Sequence, residues 1–435
     1  ANGGKSTGIA GQVSATAYGL HTRDTLTIND QLNLNVQATG GSADTAVAGS
    51  QAITAWAQAY GLYNSTGTVT AAKMAVEQIK ATAGAGLEAQ ALAVGLANDT
   101  TTSMTTTSVD IANVEANGGT GTKYAFARAA GITNSAGTFS TTDTGATNTI
   151  SVVARGGTIS GSGSAQEDAY GQAYGIVNLD TMSIKGSTVI NATATGGNGT
   201  AHNTYALAMG IRNKSASVLN IDGPLTITSE ATSIAAGSSD ASAEATGVAN
   251  FGGTTNLKDD VTIITKASGV SGSSFAAGSL YAEGGTLNAG TDGTSSLGKV
   301  VKLEGDVLAD KSGTQINLTL DQPASYLQGN VKELNDGIVN LVVGNGATWK
   351  PVYDNRNGSF FDKNDSATFT KDYVVDANSI TRLTLADGGI VDLTWDDATR
   401  NPSTDSRSLT ISRLAGNNGT FKINSDLAHH VADKI

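Results

Sequence analysis

The chain has 435 residues with 54 Gly, 4 Pro, no Cys and a formal net charge of −12. Without thiols there is no disulfide framework and no thiolate metal site, and the acidic balance argues against nucleic acid or an anionic membrane surface as a partner. Low charge density and regularly spaced apolar residues separate the composition from that of a disordered chain, and no apolar run is long enough for a spanning helix.

From the N-terminus onward, one short pattern returns seven times around a shared glycine: Gly19, Gly61, Gly95, Gly131, Gly175, Gly210 and Gly247. The steps between these glycines are 42, 34, 36, 44, 35 and 37 residues, a period that signals a repeat architecture in which each unit buries its apolar face against its neighbours. With the glycine as position zero, −2 is Ala in every copy and −4 is Ala in all but one, where Gly171 stands. Position +1 is Leu, Ile or Val, and +3 is Asn in six copies (Asn64, Asn98, Asn134, Asn178, Asn213, Asn250) and Thr22 in the first. Position −3 carries Thr16, Gln58, Leu92, Arg128, Gln172, Leu207 and Glu244, so this position is expected to face water. The period-two pleat then turns −4 and −2 inward as a column of alanines. The glycine is expected at a tight corner or a positive φ, and the recurrent Asn suits a turn or a hydrogen-bonded ladder.

Two further strand signals follow within most modules. Thr25–Ile28 is echoed by Thr181–Ile184 and Val218–Ile221, and Leu32–Val36 by Val189–Ala192 and Leu225–Thr228. A Gly-rich stretch closes the module, as at Gly40-Gly41, Gly118-Gly119, Gly156-Gly157 and Gly196-Gly197. Three short strands per module, repeated by translation without helical periodicity, give an all-β parallel solenoid with protruding Gly-rich loops. One rung plus one loop per module and two shorter rungs per module both satisfy the spacing.

A degraded eighth copy lies at Phe275–Tyr281, and residues 1–290 form the repetitive region of seven to eight modules. In residues 291–435 the strand signals come closer together, at Val300–Leu303, Gln315–Leu320, Ile338–Val343, Leu383–Leu385, Ile390–Leu393 and Leu409–Ile411. Trp349 and Trp395 fall here, and an aromatic end segment suits the capping of an open solenoid.

An ordered series of blocks in residues 338–435 carries a family resemblance: Gly344–Lys350, Ile380–Leu385, Gly388–Leu393, Leu409–Ile411, Leu414–Leu427 and the closing Ala432–Ile435. Together they resemble the end of a pertactin-type autotransporter passenger, where the family carries its autochaperone segment ahead of an outer-membrane β-barrel. The resemblance implies a right-handed, single-stranded parallel β-helix, export through the outer membrane of a Gram-negative bacterium, display at the cell surface, and a fold-nucleating role for Leu414 to Ile435.

Catalytic motifs are thin. Gly4-Lys5-Ser6-Thr7-Gly8 holds the end of a phosphate loop and a G-x-S-x-G string, but no strand precedes it. Gly118–Gly121 and Gly196–Gly199 imitate the start of a calcium nonapeptide, with Lys123 and Ala201 where a ligating Asp belongs. Asp354, Asn355, Asn357, Asp362, Asn364 and Asp365 make an acidic loop whose default reading is solvated surface. The adjacent pairs His429-His430 and Asp396-Asp397 point to opposite strand faces, which suits neither metal chelation nor general acid–base work. The reading is a non-enzyme with no catalytic residue, metal or cofactor.

The feature with functional content is at positions −5, −3 and −1. Trp56, Tyr60, Phe126, Arg128, Tyr170, Gln172, Tyr174 and Tyr205 share the outward face, and stacking would align them as an aromatic and polar strip suited to protein or glycan recognition. The expected function is that of a surface-displayed adhesin whose partner is a host surface protein or glycan, through many weak sites on one rod. Self-association with a copy on a neighbouring cell is the alternative, and a β-helical hydrolase the less favoured one.

Overall fold

The computed structural model describes residues 2, 13–42, 54–160, 168–199, 203–214, 216–234, 240–269, 274–351, 378–394, 409–426, 431–432 and 435. Among them there is no helix, and the strands form a right-handed parallel β-helix with three sheets. Every strand of the solenoid pairs in parallel with its counterpart one module away. The repeat therefore contributes one rung per module, which settles the question the spacing left open.

The third sheet shows the rung count in one column of inward side chains: Leu34, Val76, Ile111, Ile150, Ile190, Ile227, Ile263, Leu303, Leu327, Trp349, Val391 and Phe421. Among the described residues that is twelve rungs, spanning roughly 53 Å at about 4.8 Å per step. The same sheets continue across residue 290, where the step falls from 36 residues (Ile227 to Ile263) to 24 (Leu303 to Leu327). Trp349 is fully buried within this column, its indole Nε1 donating to Gly329 O at 3.0 Å, and two more rungs follow it. It fills the core rather than capping the end, while Trp395 lies outside the described residues.

The first sheet holds the seven-fold motif. Its −4 and −2 alanines are buried in six of the seven copies, only Ala17 of the first rung being partly covered, and the +1 aliphatics lie behind the same face. Small side chains are required here because the branched residues of the third sheet press directly on them. The shared glycine makes this explicit. None of the seven has a positive φ, and the strand runs straight through each, so the expected corner is not found. Instead, a Cβ on Gly175 would stand 2.5 Å from Gly210 O and closer still to the Ile190 Cγ2 methyl. The glycine is a matter of space, not of backbone conformation. At the eighth copy the register sets Ser279, not Gly278, at position zero, and its hydroxyl donates to Gly305 O and Asp306 O at 3.0 and 3.1 Å.

Beyond the glycine the inward face resumes at +1 and +3. The six Asn at +3 are buried and form a continuous ladder, Asn64 to Asn98 to Asn134 to Asn178 to Asn213 to Asn250, each Nδ2 donating to the next Oδ1 at 2.9–3.0 Å. A second ladder joins Asn220, Asn256, Asn288, Asn317 and Asn340 on the second sheet, its amides donating toward the N-terminal neighbour at 2.7–2.9 Å. Both compensate buried or half-buried amides that would otherwise be costly. The glycine pairs form a third column: Gly41, Gly84, Gly119, Gly157 and Gly197 stack at one corner so tightly that a Cβ on any later member would strike the carbonyl below it. Most of the segments after these corners, at 43–53, 161–167, 200–202 and 235–239, lie outside the described residues, as does 270–273 after the third sheet of the seventh rung.

Candidate recognition face on the first sheet

The outer face of the first sheet is built from columns fixed by the strand register. Position −5 stacks Ser14, Trp56, Gln90, Phe126, Tyr170, Tyr205 and Ser242; position −1 stacks Tyr18, Tyr60, Val94, Ala130, Tyr174, Met209 and Thr246. The pleat shifts phase at the glycine, so the next outward column is +2: His21, Tyr63, Ala97, Thr133, Val177, Arg212 and Ala249. The aromatics consequently gather into two patches rather than the single strip expected.

The first patch lies on rungs one and two. Tyr18, His21, Tyr60 and Tyr63 pack with ring centroids 5.0–5.7 Å apart, and Tyr18 is 44% exposed. The Tyr63 hydroxyl donates to Asp99 Oδ2 at 2.9 Å, and His21 Nε2 is 3.0 Å from Ser65 Oγ. Burial, followed by the neighbouring Tyr18, Tyr63 and Asp99, pushes the Tyr60 phenol up to about 12. Trp56 sits between Ser14 and Gln90 in its column, outside both aromatic runs, with its indole N–H buried and without a hydrogen-bond partner among the described residues.

The second patch spans rungs four to seven. Tyr124 stacks on Phe126 at 5.9 Å, and Tyr170 meets Tyr124 and Tyr205 edge-on at 5.7 and 6.0 Å. Tyr174 is only 3% exposed, with the Arg128 and Arg212 guanidiniums 5.9 and 5.5 Å from its ring centre. Each guanidinium also lies over a second ring: Arg128 over Phe126 at 5.1 Å and Arg212 over Phe251 at 5.3 Å. Gln172 Oε1 accepts from Arg128 Nε at 3.2 Å, from its Nη2 at 2.9 Å and from the Tyr174 hydroxyl at 3.2 Å, which fixes the arginine in place. Tyr205 donates to Glu244 Oε2 at 2.8 Å, and burial together with that carboxylate holds its phenol well above the ordinary range. Beside these rings an open concavity of about 290 Å³ is lined by Tyr170, Gln172, Asn203, Thr204, Tyr205 and Ser242.

Six of the eight expected residues, Phe126, Arg128, Tyr170, Gln172, Tyr174 and Tyr205, thus come together, while Tyr60 belongs to the first patch and Trp56 to neither. Tyr174 is a support rather than a contact surface. Position −3 also departs from expectation: Leu207 and Glu244 are 6% and 4% exposed, because the outer face of these rungs carries its own apolar cluster with Tyr174, Met209 and Ala249. Residues not singled out from the sequence are His21, Tyr63, Tyr124, Arg212, Lys214 and Phe251. For His21, Tyr63 and Arg212 the signal was the +2 column and for Lys214 and Phe251 the +4 column, both visible only once the phase shift at the glycine is known, while Tyr124 extends the outward face to −7.

Among the described residues no group of three or more His, Asp or Glu side chains is arranged to hold a metal ion. The Asp354–Asp365 loop, Asp396-Asp397 and His429-His430 lie outside them. The glycines of the calcium-like strings at 118–121 and 196–199 include members of the corner column. The fold class is therefore a parallel β-helix, with twelve rungs and a two-patch aromatic face among the described residues. Comparison with protein-family models, with curated proteins and with solved structures returns no match.

Proposed function

We propose that the chain is the passenger of a surface-displayed adhesin that attaches to host surfaces through the outer face of its first sheet. The observation that carries the reading is the second patch: half-buried tyrosines, a guanidinium held by Gln172 and an open concavity, all presented on a rod fixed by the asparagine ladders. A stiff scaffold presents such groups without an ordering cost at the moment of contact, and aromatic rings with polar tips are the side chains that recognition surfaces favour. The resemblance of residues 338–435 to an autotransporter passenger end supports export to the cell surface ahead of an outer-membrane barrel.

The test is attachment of cells that display the chain. Tyr170→Ser with Tyr205→Ser keeps the strands and removes two half-buried rings that line the concavity. Attachment to host cells should fall several-fold while the amount displayed is unchanged. Attachment that persists in full removes the second patch from the function.

A further inference from the structure

The second patch has a charge character opposite to that of the chain as a whole. Arg128 and Arg212 flank Tyr174, and Lys214 lies two residues past Arg212 on the same strand face. Among the described residues none of the three forms an ion pair with a carboxylate, although eight such pairs occur elsewhere in the described chain. Arg212 Nε is buried with no hydrogen-bond partner among the described residues. The Arg212 charge, then burial, then Arg128 holds the Lys214 ammonium below its ordinary range, as expected for cations that share a site without a counter-ion. Among the described residues the patch has two carboxylates, both engaged: Glu244 is buried and accepts from Tyr205, and Asp168 accepts from Asn203 Nδ2 at 2.8 Å beside Tyr170, so neither pairs with the three cations. In a chain with a net charge of −12, keeping such cations together and unpaired costs free energy that an anionic ligand would return.

We infer that this patch binds an acidic oligosaccharide, with Arg128, Arg212 and Lys214 taking its carboxylate or sulfate groups and the Tyr170–Tyr205 concavity taking a sugar ring; the inference deepens the adhesin reading and rests on it. A saccharide fits better than a peptide on two grounds. The backbone N–H and C=O groups of this sheet are engaged by the neighbouring rungs on both sides, so an extended peptide finds no edge to join. The concavity offers tyrosine rings beside an amide and hydroxyl set, Gln172, Asn203 and Ser242, which suits a pyranose with apolar ring faces and equatorial hydroxyls. From position −5 to +2 the strand covers about 23 Å, room for several sugar units along the strand.

The experiment measures binding of the full chain to four probes: a heparin-derived hexasaccharide, a galacturonate hexamer, cellohexaose and decaglutamate. One or both acidic saccharides should bind, with affinity falling as salt rises, and cellohexaose should bind at least about tenfold more weakly. Preference for heparin identifies sulfate, and preference for galacturonate identifies carboxylate, as the group taken. Lys214→Gln, which breaks no described contact, should weaken acidic-saccharide binding about fivefold, and Arg128→Gln about tenfold, for charge-assisted bonds at a partly exposed site. Equal binding of cellohexaose, equal binding of decaglutamate, or unchanged affinity in Lys214→Gln overturns the inference. Cells displaying Lys214→Gln with Arg128→Gln separate the two claims. If they attach as wild type, the acidic ligand is refuted and adhesion stands; loss of attachment by Tyr170→Ser with Tyr205→Ser but not by the charge variants likewise refutes the acidic ligand alone.

Discussion

Replacing Gly175 by alanine tests why the motif keeps its glycine. The added methyl would lie 2.5 Å from Gly210 O and nearer still to Ile190 Cγ2, where ordinary carbon contacts begin near 3.4 Å. The Ile190 side chain can yield only into a filled core, and the carbonyl belongs to the next rung's backbone. Overpacking a dense core costs about 1–3 kcal/mol, and two hard contacts, one with backbone, place this case at the upper end, about 3 kcal/mol. Gly145→Ala is the matched control. That glycine is exposed, has no positive φ, and its new methyl would meet only Asp143 Oδ1 at 3.5 Å, so the lower entropy of the unfolded chain should stabilise by about 0.4–1 kcal/mol. Urea denaturation compares the two, and amide hydrogen exchange should show the Gly175→Ala loss concentrated in rungs five and six, since each rung touches only its neighbours. Equal effects of the two substitutions would refute the argument from space, and a stabilising Gly175→Ala would refute it most directly.

Asn134→Ala opens the ladder: the buried Asn98 Nδ2 loses its acceptor and the buried Asn178 Oδ1 its donor, each at 2.9 Å, and at roughly 1 kcal/mol for each buried group the loss is about 2 kcal/mol in urea denaturation; a loss below half of that would show that the ladder is decoration. Glu115 is pulled two ways, burial raising its pKa while the Asn117 amide, Lys80 and Arg155 lower it, and the net direction is down from 4.5. A folded pKa below the unfolded one stabilises above pH 4.5 and is lost as pH falls through the lower folded value, so Glu115→Gln should flatten the acid limb of stability against pH; an unchanged limb contradicts the assignment. Tyr60 is the opposite case: its contribution is complete below pH 10.0 and fades as pH rises toward about 12. Phenol absorbance should therefore show one fewer late-titrating tyrosine in Tyr60→Phe, and no difference between the two titrations counts against the burial.

Much of the solenoid is legible in the sequence because the spacing of the repeat is the spacing of the pairing. Ala57 sits over Ala91 and Asn98 over Asn134 at the same offsets that separate Gly61, Gly95 and Gly131 along the chain. The role of the glycine is not legible, since the atoms that exclude a methyl come from Ile190 and Gly210, one on another sheet and one on another rung. The same holds for the outer face of the first sheet. Arg128, Gln172 and Tyr174 follow from alternation, but Arg212 and Phe251 meet that group only because the pleat changes phase at position zero and because neighbouring strands bring +2 and +4 alongside. Trp349 shows a different limit: aromatic content near the end of the chain does not distinguish a lid from a core filler, and here the column above it continues through Val391 and Phe421.

The asparagine ladder ends by turning its last amide onto backbone, Asn250 Nδ2 donating to Gly253 O and Gly284 O at 2.9 and 3.0 Å. Between its ends each link joins one amide to the same amide of the adjoining module. Removing residues 176–210 in one piece would bring Gly175 directly before Ile211 and rejoin Asn134 to Asn213 with no mismatched partner. The length of the β-helix is then adjustable by whole modules, in increments of about 4.8 Å, by nothing more than gain or loss of a segment of coding length.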